Sequence, residues 1–218
     1  MPVAATSTKE QILLAAERMI ADVGVDGVSM RQIGAAVGSG NNSAVLYHFG
    51  SKENLVTAIF EYRLPRLRER RAALVAERQP SDLRGWLQCQ IDVVLEQSEV
   101  PGSNYMSFVV SLARHGDAFK QLPKRFASGH RQYEQELRAC LAGVEEPLLT
   151  QRLGHAMDMT VQVAANREQA RAQRRRVLPL ALEAANLVDC LVGFLEAPVS
   201  PAAQAALDGF LGRIGSDA

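Results

Sequence analysis

Apolar side chains recur along this chain at the three-to-four-residue spacing of helices, with no convincing strand-like alternation and no internal repeat. Ile12, Ala16, Met19, Ile20 and Val23 share one face of a first helix. Ser7 with Glu10, and Thr8 with Gln11, offer capping pairs at its start. Gly24 ends it, because glycine enters a left-handed cap without steric cost. Ser29 with Gln32 repeats the capping pattern, and Met30, Ile33 and Val37 line a short second helix stopped by Gly38. Residues 39–42 have turn composition. Asn42 or Ser43 can cap a third, very short helix running to about His48. Gly50 and Ser51 interrupt it, and Ser51 caps a fourth helix whose stripe includes Leu55 and Ile59. Pro65 falls inside that helix. It removes one hydrogen bond at a cost of ~3 kcal/mol and predicts a kink or a break.

Composition shifts after Gln79-Pro80-Ser81-Asp82, and five longer helical patterns follow. They run from Leu83 to about Glu99, Tyr105 to His115, Pro123 to Leu141, Pro147 to about Gln173, and Pro179 to near Pro198. A closing helix is expected over Pro201–Arg213. The stretch from Pro179 is apolar on nearly every side, so it needs cover on most sides. In a chain this small a second subunit is the natural cover. The fold class is therefore all-α.

Charge narrows the choices less than pattern does. The formal net charge is zero. Over residues 1–52, Lys9, Arg18, Arg31 and Lys52 are balanced by Glu10, Glu17, Asp22 and Asp26. No bulk field announces a nucleic-acid partner. The arginine-rich stretch Arg63–Arg71 reads as a solvated face, with phosphate or partner contact as the alternative. Cys89, Cys140 and Cys190 are odd in number and share no metal spacing, so they read as reduced core residues of a cytoplasmic protein. No basic-then-apolar leader is visible at the N-terminus, and no uncharged stretch approaches the ~18 residues of a membrane span. His155 and Asp158, with Glu183 and Asp189 on the next helix, are the best metal candidates. The pair lacks the repeated Glu-x-x-His of helical-bundle metal sites, and no nucleophile motif is present. No metal, no cofactor and no enzyme activity are expected.

Helix, glycine, short helix, turn and short helix form a helix-turn-helix order. Such a pair props one helix into the major groove, where base edges carry a distinct donor–acceptor code. Asn41, Asn42, Ser43 and Ala44 suit that helix: amides pair with adenine, and alanine can meet a thymine methyl.

The segment from Gln11 to Phe60 resembles the head of TetR-family regulators, through ILLAAERMIADVGVDGVSMRQIGAAVG and then LYHFGSKENLVTAIF. The run LYHFGSKENL, Leu46 to Leu55, is its most specific part. The turn before it is about two residues longer than is common in the family, and resembles a branch with an Asn-Asn-Ser-Ala segment. The resemblance implies phosphate contacts from Tyr47, His48 and Lys52, a core role for Phe49, and contacts to phosphate or base from Ser29, Arg31 and Gln32. It implies an N-terminal helix-turn-helix three-helix DNA-binding head over residues 1–62, which includes the start of a connecting helix. A C-terminal helical body for ligand binding and dimerisation follows over residues 63–218. A pocket for a small-molecule effector would draw on Trp86, Gln90, Val93, Tyr105, Phe108, Val109, Leu112, Phe126, Tyr133, Met157 and Thr160, although most of them, taken singly, read as ordinary core. A homodimer interface would use Leu153, His155, Met157, Val161, Leu187, Leu191 and Phe194. The expected function is a ligand-responsive regulator, a repressor by the lean of the family, holding double-stranded palindromic operator DNA and released by an apolar or amphipathic effector. A DNA-binding architectural or nucleoid factor without a ligand is the alternative.

Overall fold

Side-chain caps set the first helix ends where the pattern puts them. In the computed structural model, which describes residues 7–38, 43–114 and 128–216, the Ser7 hydroxyl accepts the Glu10 N–H at 3.2 Å and α1 runs Thr8–Val23. Gly24 closes it with φ 81°, in the left-handed region, and donates its N–H to the Ile20 carbonyl. Then follow α2 (Met30–Ala36), α3 (Ser43–Phe49) and α4 (Lys52–Arg78). Ile12, Ala16 and Ile20 of α1 meet Ile33 of α2, Val45 of α3, and Leu55 and Ile59 of α4 in one core, all fully buried. Each such aliphatic side chain contributes ~1.5–3 kcal/mol by leaving water.

The body comprises α5 (Leu83–Ser98), α6 (Tyr105–Arg114), α7 (Ser128–Cys140), α8 (Leu148–Ala172), α9 (Leu180–Glu196) and α10 (Pro201–Ser216). The described residues hold ten helices and no strand. Asp82 caps α5 by accepting the Gly85 N–H at 2.8 Å. Helix α5 packs against α4, α8 and α9, while α6 lies between α1 and α8. Phe60 of α4 reaches Phe108 and Tyr105 of α6, with ring centroids 5.5 and 6.1 Å away. No helix of the described residues is long and apolar enough to cross a membrane.

Three expectations need correction. Of the kink or break expected at Pro65, the break is absent: α4 runs on from Lys52 to Arg78. The ring of Pro65 is on the exposed side, and packing of Arg63 and Leu74 to either side holds the helix in register. Tertiary packing here outweighs the propensity cost. Arg63 is not part of a solvated face: it is buried, its guanidinium paired in a fork with the Glu17 carboxylate at 2.7 and 2.8 Å. Of the three cysteines only Cys89 is in the core; Cys140 and Cys190 are exposed.

Glu168, on the last turns of α8, is also buried. Its carboxylate accepts the Ser107 N–H of α6 at 2.9 Å. Burial pushes its pKa up, opposed by the Ser107 hydrogen bonds and assisted by the nearby Glu17. An acid whose pKa is raised on folding favours the folded state most below its unfolded value, and that contribution is lost as pH rises through the folded value.

Two outcomes follow from these placements. Pro65→Ala should stabilise the protein by about 1–3 kcal/mol, read from the urea midpoint at unchanged m-value. Glu168→Gln should be more stable than the parent at neutral pH, and the advantage should shrink as pH falls into the range of an ordinary glutamate. A difference that grows on acidification would contradict it.

Candidate nucleic-acid interface

Helix α3 is anchored by two residues four apart. Val45 is fully buried and Phe49 is 7% exposed. At ~100° per residue, Tyr47 then falls opposite them, and its side chain is 84% exposed. His48 is exposed beside it, with ring centroids 5.4 Å apart, and Ala44 is half-buried on the flank. The ammonium of Lys9 sits 5.9 Å from the centre of the Phe49 ring. Asn41 and Asn42 lie outside the described residues, as does the side chain of Ser43.

Helix α2 begins at a full capping box. The Ser29 hydroxyl accepts the Gln32 N–H at 3.2 Å, and the Gln32 Oε1 accepts the Ser29 N–H at 2.8 Å. This commits the Gln32 amide oxygen inward and leaves its NH2 group as the donor that can turn to a base edge or a phosphate. Arg31 is exposed next to it. Ser51 caps α4 through the Asn54 N–H at 3.2 Å. Lys52 is half-buried and donates to the Val25 carbonyl at 2.8 Å, strapping the start of α4 to the α1–α2 turn. An ammonium has three donors, so this strap leaves hydrogens for a phosphate.

The exposed side chains of α2 and α3 thus flank two buried anchors, and the arrangement presents donors together with an aromatic hydroxyl. One member escaped the sequence reading. Leu46 is 53% exposed on α3, and an apolar side chain there suits a thymine methyl. Its helical phase relative to Val45 and Phe49 was the available signal.

The predicted pocket residues fall into different surroundings. Phe108 and Leu112 are fully buried, and Tyr105 is stacked on Phe108 at 6.2 Å. Val93 packs with Cys89 and Leu74 in a small separate cluster. The Thr160 hydroxyl donates to the Ala156 carbonyl of its own helix at 2.8 Å. Gln90 accepts from Arg71 at 3.2 Å, and the Arg71 guanidinium lies 5.5 Å from the Tyr133 ring centre. Burial raises the pKa of that tyrosine. Trp86, Val109 and Met157 are half-buried, and Phe126 lies outside the described residues. A cleft of about 250 Å³ is lined by Cys140, Leu141, Val144, Glu196 and Pro198 among others, and includes none of the predicted pocket residues.

The expected interface residues also divide. Leu153, Leu187 and Leu191 are buried within the chain's own core, where α8 and α9 pack on each other and on α5. His155 is exposed, while Met157, Val161 and Phe194 are half-buried. His155 and Phe194 meet on one surface, rings 6.4 Å apart. Among the described residues no group of three His, Cys, Asp or Glu side chains could hold a metal. Glu183 is paired with Arg167, and Asp189 with Arg84.

Residues 12–59 match the family model described as bacterial regulatory proteins, tetR family. The match spans α1 to the first turns of α4, so it is the helix-turn-helix segment of this chain that is similar to the tetR family. The chain is all-helical over its described residues. No curated protein matches it. Solved structures with the same fold include the fatty acid degradation regulator FadR from Bacillus halodurans, at 15% identity and TM-score 0.62, covering 89% of this chain and 99% of that one. Mycobacterium smegmatis AmtR matches at 16% identity and TM-score 0.53, covering 95% and 97%. A protein described as superantigen pfit matches at 19% and 0.50, covering 84% and 87%. At these identities the likeness concerns the fold alone.

The two kinds of residue in the head should separate on mutation. Phe49→Ala should cost about 3–5 kcal/mol, as for a large core truncation. Ser29→Ala should cost about 1 kcal/mol through the lost cap. Urea unfolding followed by circular dichroism measures both, and equal costs would contradict the packing described.

Proposed function

We propose that this chain is a TetR-family regulator, a ligand-responsive repressor that grips a palindromic operator as a homodimer. The observation that carries the DNA-reading surface is the phase of α3: Tyr47 is 84% exposed directly across the helix from the buried Val45 and Phe49. Tyr47, His48 and Lys52 hold phosphates, with Ser29 and Arg31 beside them. Gln32, Ala44 and Ser43 approach base edges, together with Asn41 and Asn42 of the preceding turn. Residues 1–62 act as the DNA-binding unit and residues 63–218 as the effector and dimer unit, joined by the continuous α4. Paired heads on a two-fold axis read two half-sites.

The dimer face is the outer side of α8 and α9, which carry the exposed or half-buried His155, Met157, Val161 and Phe194 and the exposed Met159 and Leu182. The effector is apolar or amphipathic, and its pocket lies among α5 to α8 around Trp86, Tyr133 and Met157. It releases DNA only by favouring the conformation that does not bind DNA. The reading is one of a regulator, not an enzyme, acting in the cytoplasm.

The test is binding of the purified protein to duplex DNA from its own promoter region, at stated salt and with non-specific competitor. Affinity should fall steeply as salt rises, since phosphate contacts release counterions. Tyr47→Ala should weaken binding at least about tenfold with an unchanged urea midpoint. Specific binding that survives this change would remove α3 from the reading surface. Binding spread evenly over many sequences would favour an architectural factor.

A further inference from the structure

We infer that Glu17 is a positioning residue for operator recognition: its buried carboxylate fixes the angle between head and body, and so the half-site spacing the protein accepts. The second half of this statement rests on the proposed dimeric regulator; the first does not.

Glu17 lies on α1 and is 1% exposed. Its carboxylate bonds to two other helices. Arg63 of α4 donates twice, at 2.7 and 2.8 Å. The Asn104 N–H, at the start of α6, donates to Oε1 at 2.9 Å. Arg63 is held in turn over the Tyr62 and Tyr105 rings, at 5.2 and 5.9 Å. The first turn of α6 is thus capped from two sides, by Glu17 from the head and by Glu168 from the body through the Ser107 N–H. One turn further along, the Ser111 hydroxyl donates to the Ile20 carbonyl at 2.9 Å.

Apolar packing alone lets two helices slide and rotate, because it has no direction. Hydrogen bonds weaken steeply as their angle closes, so a carboxylate shared between a fork and a backbone N–H admits one arrangement of α1, α4 and α6. A change in that arrangement swings α3 at the far side of the head. Each base pair added between half-sites rotates one of them by about 34° around the duplex and moves it along the axis. A fixed head angle therefore selects one spacing.

Two double variants of the full chain separate position from stability. Glu17→Met with Arg63→Met replaces the buried ion pair by an apolar pair of similar volume, a change that is often neutral or stabilising, but it leaves the Asn104 N–H without its acceptor. Glu17→Gln with Arg63→Met keeps an amide oxygen for that N–H without a buried charge. Each is made in a chain with Cys89→Ala, Cys140→Ser and Cys190→Ser, spin-labelled at Asp22→Cys on α1 and Gln151→Cys on α8, and diluted with unlabelled chain. The parent should give one narrow label distance, the Met/Met variant a broad distribution, and the Gln/Met variant a narrow one again.

The same proteins without labels are then used to select from a random-sequence duplex library. The parent should prefer one half-site spacing over its one-base-pair neighbours by at least about tenfold, and the Met/Met variant by less than about threefold, on the same half-site sequence. A narrow distance in the Met/Met variant, or an undiminished spacing preference, overturns the assignment. Selection of no sequence by the parent would overturn the DNA-reading proposal instead, and the label distances would still decide the role of Glu17.

Discussion

A carboxylate that leaves water inside a helical protein demands compensation, and Glu17 obtains it from two directions at once. Removing a paired charge from water costs several kcal/mol per ion. The cost is offset only with a partner in good geometry and with the remaining lone pairs engaged. Arg63 supplies the partner and the Asn104 N–H engages the rest. The three groups belong to α1, α4 and the start of α6, so the carboxylate ties together helices far apart in sequence. Head and body are therefore parts of one packed unit around this pair, although they are distinct stretches of sequence.

The surface proposed for DNA is built the opposite way, from short-range rules. Caps at Ser7, Ser29 and Ser51 start three of the four head helices. Val45 and Phe49 then turn α3 so that Tyr47 points outward. Residues 1–52 hold four cations and four anions, and Glu53 and Glu61 follow in the rest of the head, so it carries no positive field. Contact geometry must therefore do what charge density does in strongly basic DNA-binding proteins. Lys52 illustrates the economy of the arrangement, since the ammonium that suits a phosphate also straps α4 to the Val25 carbonyl.

In the body, charge is used to fix helix ends. Arg167 lies inside with Glu99 and Glu183, joining the ends of α5 and α8 to the start of α9. Arg138 draws together Glu134, Glu146 and Thr150 at the α7–α8 junction. The long α8 and α9 keep polar and apolar groups mixed at the surface, with Met159, His155 and Asp158 exposed on α8 and Leu182 on α9.

The sequence by itself determined the helices and their order. A 3.6-residue stripe, a capping serine and a terminal glycine are local features, and their energies act within a few residues. The LYHFGSKENL run likewise identified the head, since its spacing is fixed by one short helix and the next cap. Tertiary structure alone decided the rest. That Arg63 turns inward to Glu17 could not be read from an arginine-rich run, because its partner is 46 residues away. The continuity of α4 through Pro65 came from packing on both sides, which outweighs a local penalty. Leu187 and Leu191 looked like interface on an all-apolar helix, yet α5 and α8 cover them within the chain. Which apolar face meets which neighbour is set by contacts between distant segments, and periodicity carries no record of the partner.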